Sequence, residues 1–341
     1  GLRPDTVTVP VAPDTAAAPG GTLVQTRRWM NQNRSRGTAL VSSRLAFQSD
    51  RRLQPTPSYR HHFVVEIPSG LRTGTPPRPT PQPVTTGFRS FGTAEWLPGG
   101  SQLVVSGMPA TNRPSDRVRE RNLYVVDLNR NRMQRLLRID NYALTAPTLT
   151  SDGRTVAFRA RALTPRSDEQ AELGLFALDG RSQPRFITSA FDRDVGSFQW
   201  SPNGWFLYAT ALSEGGRPLY RFTPFVQDTS AQDTSAQAAS PKPRPQVRMS
   251  PDRSASRDTF VFDSTMVEPA PHEQLVRPPR AVHAFDLTSA TVIYTSTDPG
   301  TPSAVYTNTV SFDNERQLAT PNADWLARRR LAEPQRVTVT H

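Results

Sequence analysis

Side chains that could take part in catalysis are few in this sequence, and none stands in a recognisable catalytic motif. The 341 residues include no cysteine, which excludes thiolate nucleophiles, disulfides and zinc–thiolate sites. No Gly-x-Ser-x-Gly occurs, so the sequence has no elbow of the kind that exposes a nucleophilic serine. The histidines are His61, His62, His272, His283 and His341, and none is paired with a serine and an acid in a motif. We therefore predict that this chain carries no catalytic residue.

Patterns that bind metals or cofactors are equally scarce. Asp192 and Asp194 flank Arg193, but two carboxylates are too few for a calcium loop, which needs six or more oxygen ligands. We interpret this segment as a solvated turn. The sequence predicts no metal site and no cofactor, and it singles out no substrate-binding residue.

The elements that would have to position a functional residue repeat along the chain. Three tight turns lie at Trp96–Gly100, Leu149–Gly153 and Trp200–Gly204. Their final glycines are 53 residues (Gly100 to Gly153) and 51 residues (Gly153 to Gly204) apart. The turns end in Gly-Gly, Asp-Gly and Asn-Gly, which favours type I′ hairpins. An apolar residue follows each glycine at the third position: Leu103, Val156 and Leu207. Such a period indicates an array of similar units.

A second marker keeps the same order. An apolar, mostly aromatic run follows each turn at Leu123–Asp127, Leu175–Asp179 and Leu219–Phe222, with fainter copies at Phe63–Ile67 and Ala304–Tyr306. Each unit therefore contains four antiparallel strands in about 50 residues, which is typical of one β-propeller blade. We predict an all-β fold, a β-propeller of four-stranded antiparallel blades, with about seven blades and a range of six to eight. The alternative is a β-sandwich whose hairpins are similar by chance.

The predicted organisation has three parts: a leader or first-strand segment at 1–25, the propeller at 26–320, and a linker at 321–341. Trp29 and Gly37–Val41 mark the hairpin of a weakly matched first blade at 26–85, and the proline-rich segment 74–83 reads as a linker between blades. Better matched blades are predicted at 90–140, 143–190 and 194–225, and a last blade runs from Ala281 to Leu318.

One stretch of the predicted propeller has a different composition. Residues 227–246 are polar, small and proline-rich, which predicts a mobile, disordered insertion. After the insertion, Phe260–Phe262 and Val276 indicate a separate, degenerate blade. This blade would bring the count that can be made from the sequence to about six.

The composition limits the classes of partner. The formal charge is +11, and Lys242 is the only lysine among 41 basic residues. The arginines, such as Arg113, Arg130, Arg132, Arg135 and Arg138, are scattered over predicted loops, whereas the aromatic residues lie in predicted strands. This favours a solvated basic surface over nucleic-acid binding, which needs basic and aromatic residues side by side. No apolar stretch is long enough for a membrane span.

The C-terminal stretch "ERQLATPNADWLARRRLAEPQRVTV" (315–339) resembles the segment by which the chain leaves the propeller in serine peptidases of the prolyl oligopeptidase family (peptidase family S9). It is most similar to the acylaminoacyl-peptidase and dipeptidyl-peptidase-like branches. Arg316–Leu318, Asn322, Trp325–Leu326 and Glu333–Val337 carry the resemblance. The turns also resemble the "WSPDG" hairpins of these propellers and of TolB-like ones. The resemblance covers roughly residues 90–340.

This resemblance implies a non-catalytic propeller that gates the access of short peptides to an α/β-hydrolase active site. The partners would be the protein's own or an associated hydrolase domain, peptide substrates and further copies of the chain. Residues 321–341 would form a helix, stopped by Pro334, and a strand, Val337–Val339, towards that domain. No Glu-Glu pair occurs, so a dipeptide-releasing specificity is unsupported.

The alternative is a stand-alone TolB-like propeller that binds proteins or glycans. The compartment stays open, although the composition of the first 21 residues is typical of a segment after a cleaved export signal, which favours a periplasmic or secreted protein.

Overall fold

The computed structural model describes residues 28, 48–49, 52–53, 59–66, 80–111, 113, 115–164, 169–179, 182–225, 259–321, 323–329 and 337. The chain divides into two compact units, the first comprising Gly1–Phe91 and Met108–Arg119 and the second comprising Gly92–Gly107 and Glu120–His341. The predicted leader, the hairpin at 37–41 with Trp29, and the insertion at 227–246 lie outside the described residues.

Unit 1 contains two small antiparallel sheets. Strand β1 (Gln48–Ser49) pairs with β2 (Arg52–Leu53), and β3 (Phe63–Val64) pairs with β4 (Gln82–Pro83). Because β4 lies inside the proline-rich segment 74–83, the prediction that this whole segment is a linker is wrong at its C-terminal end. A 3-10 turn, Ser115–Arg117, also belongs to this unit.

Unit 2 is built from four larger sheets, which we name A to D in chain order. The strands of these sheets have the following bounds. Sheet A contains β5 (Phe91–Trp96), β6 (Gln102–Gly107), β7 (Asn122–Asp127) and β8 (Arg132–Ile139); sheet B contains β9 (Tyr142–Leu149), β10 (Thr155–Ala162), β11 (Ala171–Ala177) and β12 (Arg185–Phe186). Sheet C contains β13 (Val195–Trp200), β14 (Leu207–Ala211), β15 (Leu219–Phe222) and β17 (His272–Val276); sheet D contains β18 (Ala281–Leu287), β19 (Thr291–Asp298), β20 (Thr301–Thr309) and β21 (Arg316–Ala319).

The four strands given above for each sheet lie side by side in chain order, and the pairs run antiparallel, as the repeat predicted. The three marker runs lie in the third strands β7, β11 and β15, and the fainter copy at Ala304–Tyr306 lies in β20, the third strand of sheet D. The apolar residues predicted after each turn are buried: Leu103, Val156 and Leu207.

The separate degenerate blade is a wrong prediction. Strand β16 (Thr259–Phe260) adds to sheet A instead, because it pairs in parallel with β8. Strand β17 completes sheet C as its fourth strand, with Tyr220 opposite Gln274. A 3-10 turn, Ser264–Met266, lies between these strands, and Asp263 caps it by accepting from the Thr265 backbone nitrogen. The sequence pattern could not show this because strand pairing across the insertion is non-local.

In sheets B and C, side chains brace the turn between the first and second strands, whereas in sheet A both turn glycines, Gly99 and Gly100, have positive φ, as the sequence predicted. In sheet C the Gly204 nitrogen donates to the Ser201 carbonyl at 2.8 Å, and Gly204 has φ +75°. The Asn203 side chain accepts from the Ser201 hydroxyl at 2.6 Å and from the Trp205 nitrogen at 3.1 Å. Asn203 is not among the residues with positive φ, so the type I′ prediction is wrong here.

The matching turn of sheet B repeats this arrangement. Asp152 accepts from the Thr150 hydroxyl at 2.6 Å and from the Arg154 nitrogen at 3.0 Å. In both of these turns, a hydroxyl side chain three residues before the glycine donates to the Asp or Asn side chain just before it, which is the local hydrogen bonding that Asn, Asp, Ser and Thr favour.

Three hydrophobic clusters join the four sheets face to face. The A/B cluster includes Val125, Leu137 and Phe158, the B/C cluster includes Leu173, Trp200 and Phe222, and the C/D cluster includes Tyr208, Val282 and Tyr294. Sheets B and C contribute to two clusters each, which explains why β10 and β14 are apolar on both faces. In the described residues no helix is long and apolar enough to span a membrane.

Several arginines lie in strands rather than in the predicted loops: Arg132, Arg135 and Arg138 belong to β8. The ion pairs among the described residues each join an arginine to a carboxylate, as in Arg138–Asp140 at 2.8 Å and Arg185–Glu268 at 2.6 Å. Their basic groups are thus partly neutralised at the surface, consistent with the solvated interpretation of the charge.

Candidate functional site

Four of the five histidines belong to the described residues: His61 and His62 in unit 1, and His272 and His283 in unit 2. The His61 ring lies 3.4 Å from the Thr85 hydroxyl, and His62 follows it in unit 1. His272 begins β17 and packs edge-on against Phe191, with ring centroids 4.9 Å apart. His283 Nε2 lies 2.8 Å from the Thr297 hydroxyl. His341 lies outside the described residues. The neighbours of His61, His272 and His283 are hydroxyl groups and aromatic rings, which indicates a structural role for these three histidines.

The first strands of sheets B, C and D form a row that we call the first-strand edge. Strands β9 and β13 contact each other, and Gln199 of β13 donates to Asp286 of β18 at 3.1 Å. Pairing with the second strand is interrupted in β9, β13 and β18, at Ala146, Gly196–Ser197 and His283. Ala146 has φ +51°, which is a rare conformation for a residue with a side chain. Such bulges leave backbone groups outside the ladder and often lie next to binding sites.

Charged side chains bridge sheets B and C near this edge. Arg161 Nη2 lies 3.1 Å from Asp194 Oδ1, and the same oxygen accepts from the Ala171 nitrogen at 2.6 Å. The Asp194 carboxylate thus fastens β10 and β11 to the segment before β13. The Asp192 side chain is 98% exposed, as a solvated turn predicts. Within the described ranges no three acidic or histidine side chains come together in a way that could hold a metal ion.

Arg159 lies beside this bridge. Burial lowers the pKa of its guanidinium, while the Asp194 carboxylate raises it and Arg161 lowers it further. Its Nε is buried without a hydrogen-bond partner among the described residues. A guanidinium in these surroundings can act as an anchor for an acceptor group.

Tyr142 and Glu172 are the described groups whose surroundings come nearest to acid–base chemistry. Burial, together with the charges of Glu172 and Glu169, raises the pKa of the Tyr142 hydroxyl to about 12. Burial, followed by the charge of Glu169, also raises the pKa of the Glu172 carboxyl. Both groups therefore keep their protons to a higher pH than usual, which makes the Tyr142 hydroxyl a poor nucleophile at neutral pH. Sequence reasoning missed them because their burial is produced by a neighbouring sheet.

The segment after the last strand is exposed. Every residue of β21 is exposed, Leu318 to 54%, and the one-turn helix Ala323–Leu326 presents Trp325 at 55% exposure. The Arg329 guanidinium lies 5.0 Å from the Trp325 ring centroid. Val337, the described residue of the predicted strand 337–339, is 80% exposed and lies outside any sheet. Trp325 and Val337 are therefore exposed apolar side chains on the segment 321–341 that was predicted to lead to another domain, and Leu318 is exposed in the strand before it.

Unit 1 contains a cavity of about 360 Å³. Phe88, Met108 and Val118 form apolar walls, and Arg89 and Arg113 add guanidinium groups. Arg89 lies 5.1 Å from the Phe91 ring centroid and donates to the Met108 carbonyl at 3.4 Å. The lining could hold an apolar group next to a hydrogen-bond acceptor.

No protein-family model and no curated protein sequence matches the chain. Three solved structures that resemble it differ in length and source. The propeller domain of the Trilobed protease from Pyrococcus furiosus is 13% identical, with a TM-score of 0.43 over 72% of this chain and 55% of that chain. TolB from Acinetobacter baumannii is 12% identical, with a TM-score of 0.43 over 71% of this chain and 46% of that chain.

The third, the Pyrococcus horikoshii acylaminoacyl peptidase, is 16% identical, with a TM-score of 0.47 over 76% of this chain and 30% of that chain. The chain thus spans about half the length of the first two structures, 55% and 46%, and less of the third. The structural neighbours of this chain are β-propeller domains of family S9 peptidases and TolB proteins, at low sequence identity.

Proposed function

We propose that the chain is the non-catalytic propeller of a serine peptidase and that it gates the access of short peptides to the active site of an α/β-hydrolase domain. That domain belongs to the same polypeptide or to a partner chain. The propeller comprises residues 26–320, closes with about seven blades, and leads through 321–341 towards the hydrolase domain.

One observation carries this proposal: four-stranded antiparallel sheets stack face to face in chain order, and an exposed apolar segment follows the last of them. This stack explains the repeat of turns and strands in the sequence. A buried hydrophobic cluster lies between each two neighbouring sheets. The exit segment carries the resemblance to the peptidases, and Leu318 and Trp325 offer apolar surface to a following domain. A propeller restricts access to an active site that its face covers, so short peptides would reach that site more readily than folded proteins.

A second candidate is a TolB-like binding propeller without a hydrolase domain. The cavity of unit 1 favours it, because an apolar pocket next to guanidinium groups is a typical ligand site. In this case protein or glycan partners would replace the peptide substrates.

The decisive experiment assays residues 1–341 alone and together with the region encoded downstream. Each form is given a short chromogenic peptide, with and without a serine-directed fluorophosphonate. We expect the chain alone to show no hydrolysis above background and no covalent labelling, because acyl transfer needs a nucleophile, a base and oxyanion donors. Together with the downstream region it should accompany hydrolysis that the fluorophosphonate abolishes. Labelling of the chain itself would contradict the non-catalytic assignment, and a downstream region without a hydrolase would favour the binding module.

A further inference from the structure

A cavity of about 200 Å³ lies between sheets C and D, at the edge where their first turns meet. Sheet C contributes Pro202, Phe206 and Tyr208, and sheet D contributes Leu287 and Val310. All of these residues belong to unit 2. From the shape, size and charge of this cavity, we infer that it is a binding site for one uncharged apolar side chain of a peptide, between proline and phenylalanine in size.

The cavity exists because the turns pack differently at this pair of sheets. Between sheets A and B, Gly153 approaches Pro98 so closely that a Cβ on the glycine would overlap the proline ring at 2.5 Å. Between sheets B and C, a Cβ on Gly204 would touch the Thr150 methyl group at 3.6 Å. Sheet D has no glycine in the corresponding loop, Thr288–Ala290, which faces Pro202 and Asn203 across the cavity. The first turns thus contact each other between sheets A and B and between sheets B and C, whereas a cavity separates them between sheets C and D.

The cavity is electrically balanced. Its charged lining residue, Arg221, forms an ion pair with Glu273 and donates from Nη1 to the Val310 carbonyl at 3.0 Å. The same guanidinium lies 4.8 Å from the Phe206 ring centroid. A guanidinium with these partners offers no excess charge to an anion, so an uncharged occupant fits best.

The rim is polar and the interior is apolar. Ser289 and Ser311 line the mouth and are exposed, whereas the Thr288 hydroxyl forms hydrogen bonds within its own loop. Phe206, Leu287 and Val310 give apolar surface inside. This arrangement suits a side chain that enters the cavity while its own backbone amide groups meet hydroxyl groups outside.

The volume limits the occupant to a single group. An apolar cavity of roughly 150 Å³ takes one benzene molecule in other proteins. A cavity of about 200 Å³ therefore holds one ring or one branched side chain and excludes two. Anchoring a peptide by one buried side chain is a common mode of recognition.

The test uses three small probes and three variants of residues 1–341. N-acetyl-leucinamide and N-acetyl-prolinamide carry the proposed side chains, and N-acetyl-glycinamide is the matched probe without one. Ser289→Phe and Ser311→Phe add a ring at the mouth from two different loops. Ala290→Phe adds the same ring one position further along, outside the lining, and is the control. Saturation-transfer NMR measures probe binding, and circular dichroism verifies that each variant keeps its sheets.

We expect the leucine and proline probes to bind the unsubstituted chain at about millimolar concentration. Each mouth variant should weaken that binding at least about tenfold, and Ala290→Phe should leave it within about twofold. Equal binding of the glycine probe, unchanged binding in both mouth variants, or no transfer to any probe would overturn the inference. Preference for a neutral sugar such as methyl glucoside over these amides would do the same. None of these results depends on a hydrolase domain, so they are independent of the proposed function.

Discussion

Trp200 shows how one side chain links two sheets. It ends β13, is 5% exposed, and belongs to the B/C cluster. Its indole stacks on Phe225, with ring centroids 6.0 Å apart and planes at 10°. The indole Nε1 is buried without a hydrogen-bond partner among the described residues. The Trp200 ring therefore stabilises the fold through packing, and its buried, unpaired N–H group makes this stabilisation smaller.

Trp200→Ala should lower the free energy of unfolding by about 3–5 kcal/mol, since it leaves a large cavity between two sheets. Trp200→Phe keeps a ring in place and removes the unpaired N–H group, so it should lose much less, about 1–2 kcal/mol. Urea melts of the three proteins measure both values. A loss below about 1 kcal/mol for the alanine variant would contradict the burial of the indole.

Asp127 is a buried carboxylate that holds the turn after β7. Burial acts to raise its pKa, but hydrogen bonds from the Arg130 backbone nitrogen, the Gln102 amide and the Arg130 guanidinium lower it below the usual range. A carboxylate whose pKa is lower in the folded state stabilises the fold above its ordinary pKa, and this contribution disappears as the pH falls through the folded pKa.

Asp127→Asn should therefore destabilise the protein by about 1–2 kcal/mol at pH 7 and have a smaller effect below about pH 3. Urea midpoints at a series of pH values between neutral and acidic give the difference. The exposed Asp324 provides the control, because Asp324→Asn should change stability by less than about 0.5 kcal/mol at every pH. A constant difference between Asp127→Asn and the parent down to the lowest pH would contradict the lowered pKa.

At the scale of elements, the pair of strands β10 and β11 depends on one glycine. Phe158 lies directly opposite Gly174, and its ring covers the glycine so closely that a Cβ there would overlap ring carbons. Phe158 is fully buried in the A/B cluster. A glycine in a strand thus marks a close approach between the ring and the backbone.

Gly174→Ala should cost about 1–3 kcal/mol, because the ring must leave its place in a packed core. Gly300→Ala is the matched control: the added Cβ would meet the Asp298 side chain at an ordinary 3.6 Å, so its effect should stay within about 0.5 kcal/mol. Thermal melts distinguish the two variants. Equal midpoints would show that the Phe158 ring can move aside freely.

At the scale of the whole molecule, the proposed function predicts selection of substrates by size. When the chain is joined to its hydrolase domain, short peptides should be cut at least about tenfold faster than the same sequence placed in a loop of a folded protein, because the propeller restricts access. The comparison is made with and without residues 1–341, using the hydrolase region alone as the control if it stays folded. Equal ratios with and without the propeller would contradict gating.

The residues and their spacing alone were enough to predict the first three strands and the turns of sheets A, B and C and the third strand of sheet D. These follow from local features: glycines at the turns, apolar runs that begin at a constant offset, and the aromatic marker strands. The pairs Thr150–Asp152 and Ser201–Asn203 were visible as turn residues, but the hydrogen bonds that make them braces depend on the folded backbone. The places of β16 and β17 could not be predicted in this way, because the partners of a strand depend on contacts with residues far along the chain. Only the tertiary structure decided that Trp200 is buried while Trp96, at the same place in sheet A, is 48% exposed. The raised pKa of Glu172 and the cavity beside Phe206 also arise where two sheets meet. The residues of one strand and their spacing do not specify which sheet packs against that strand.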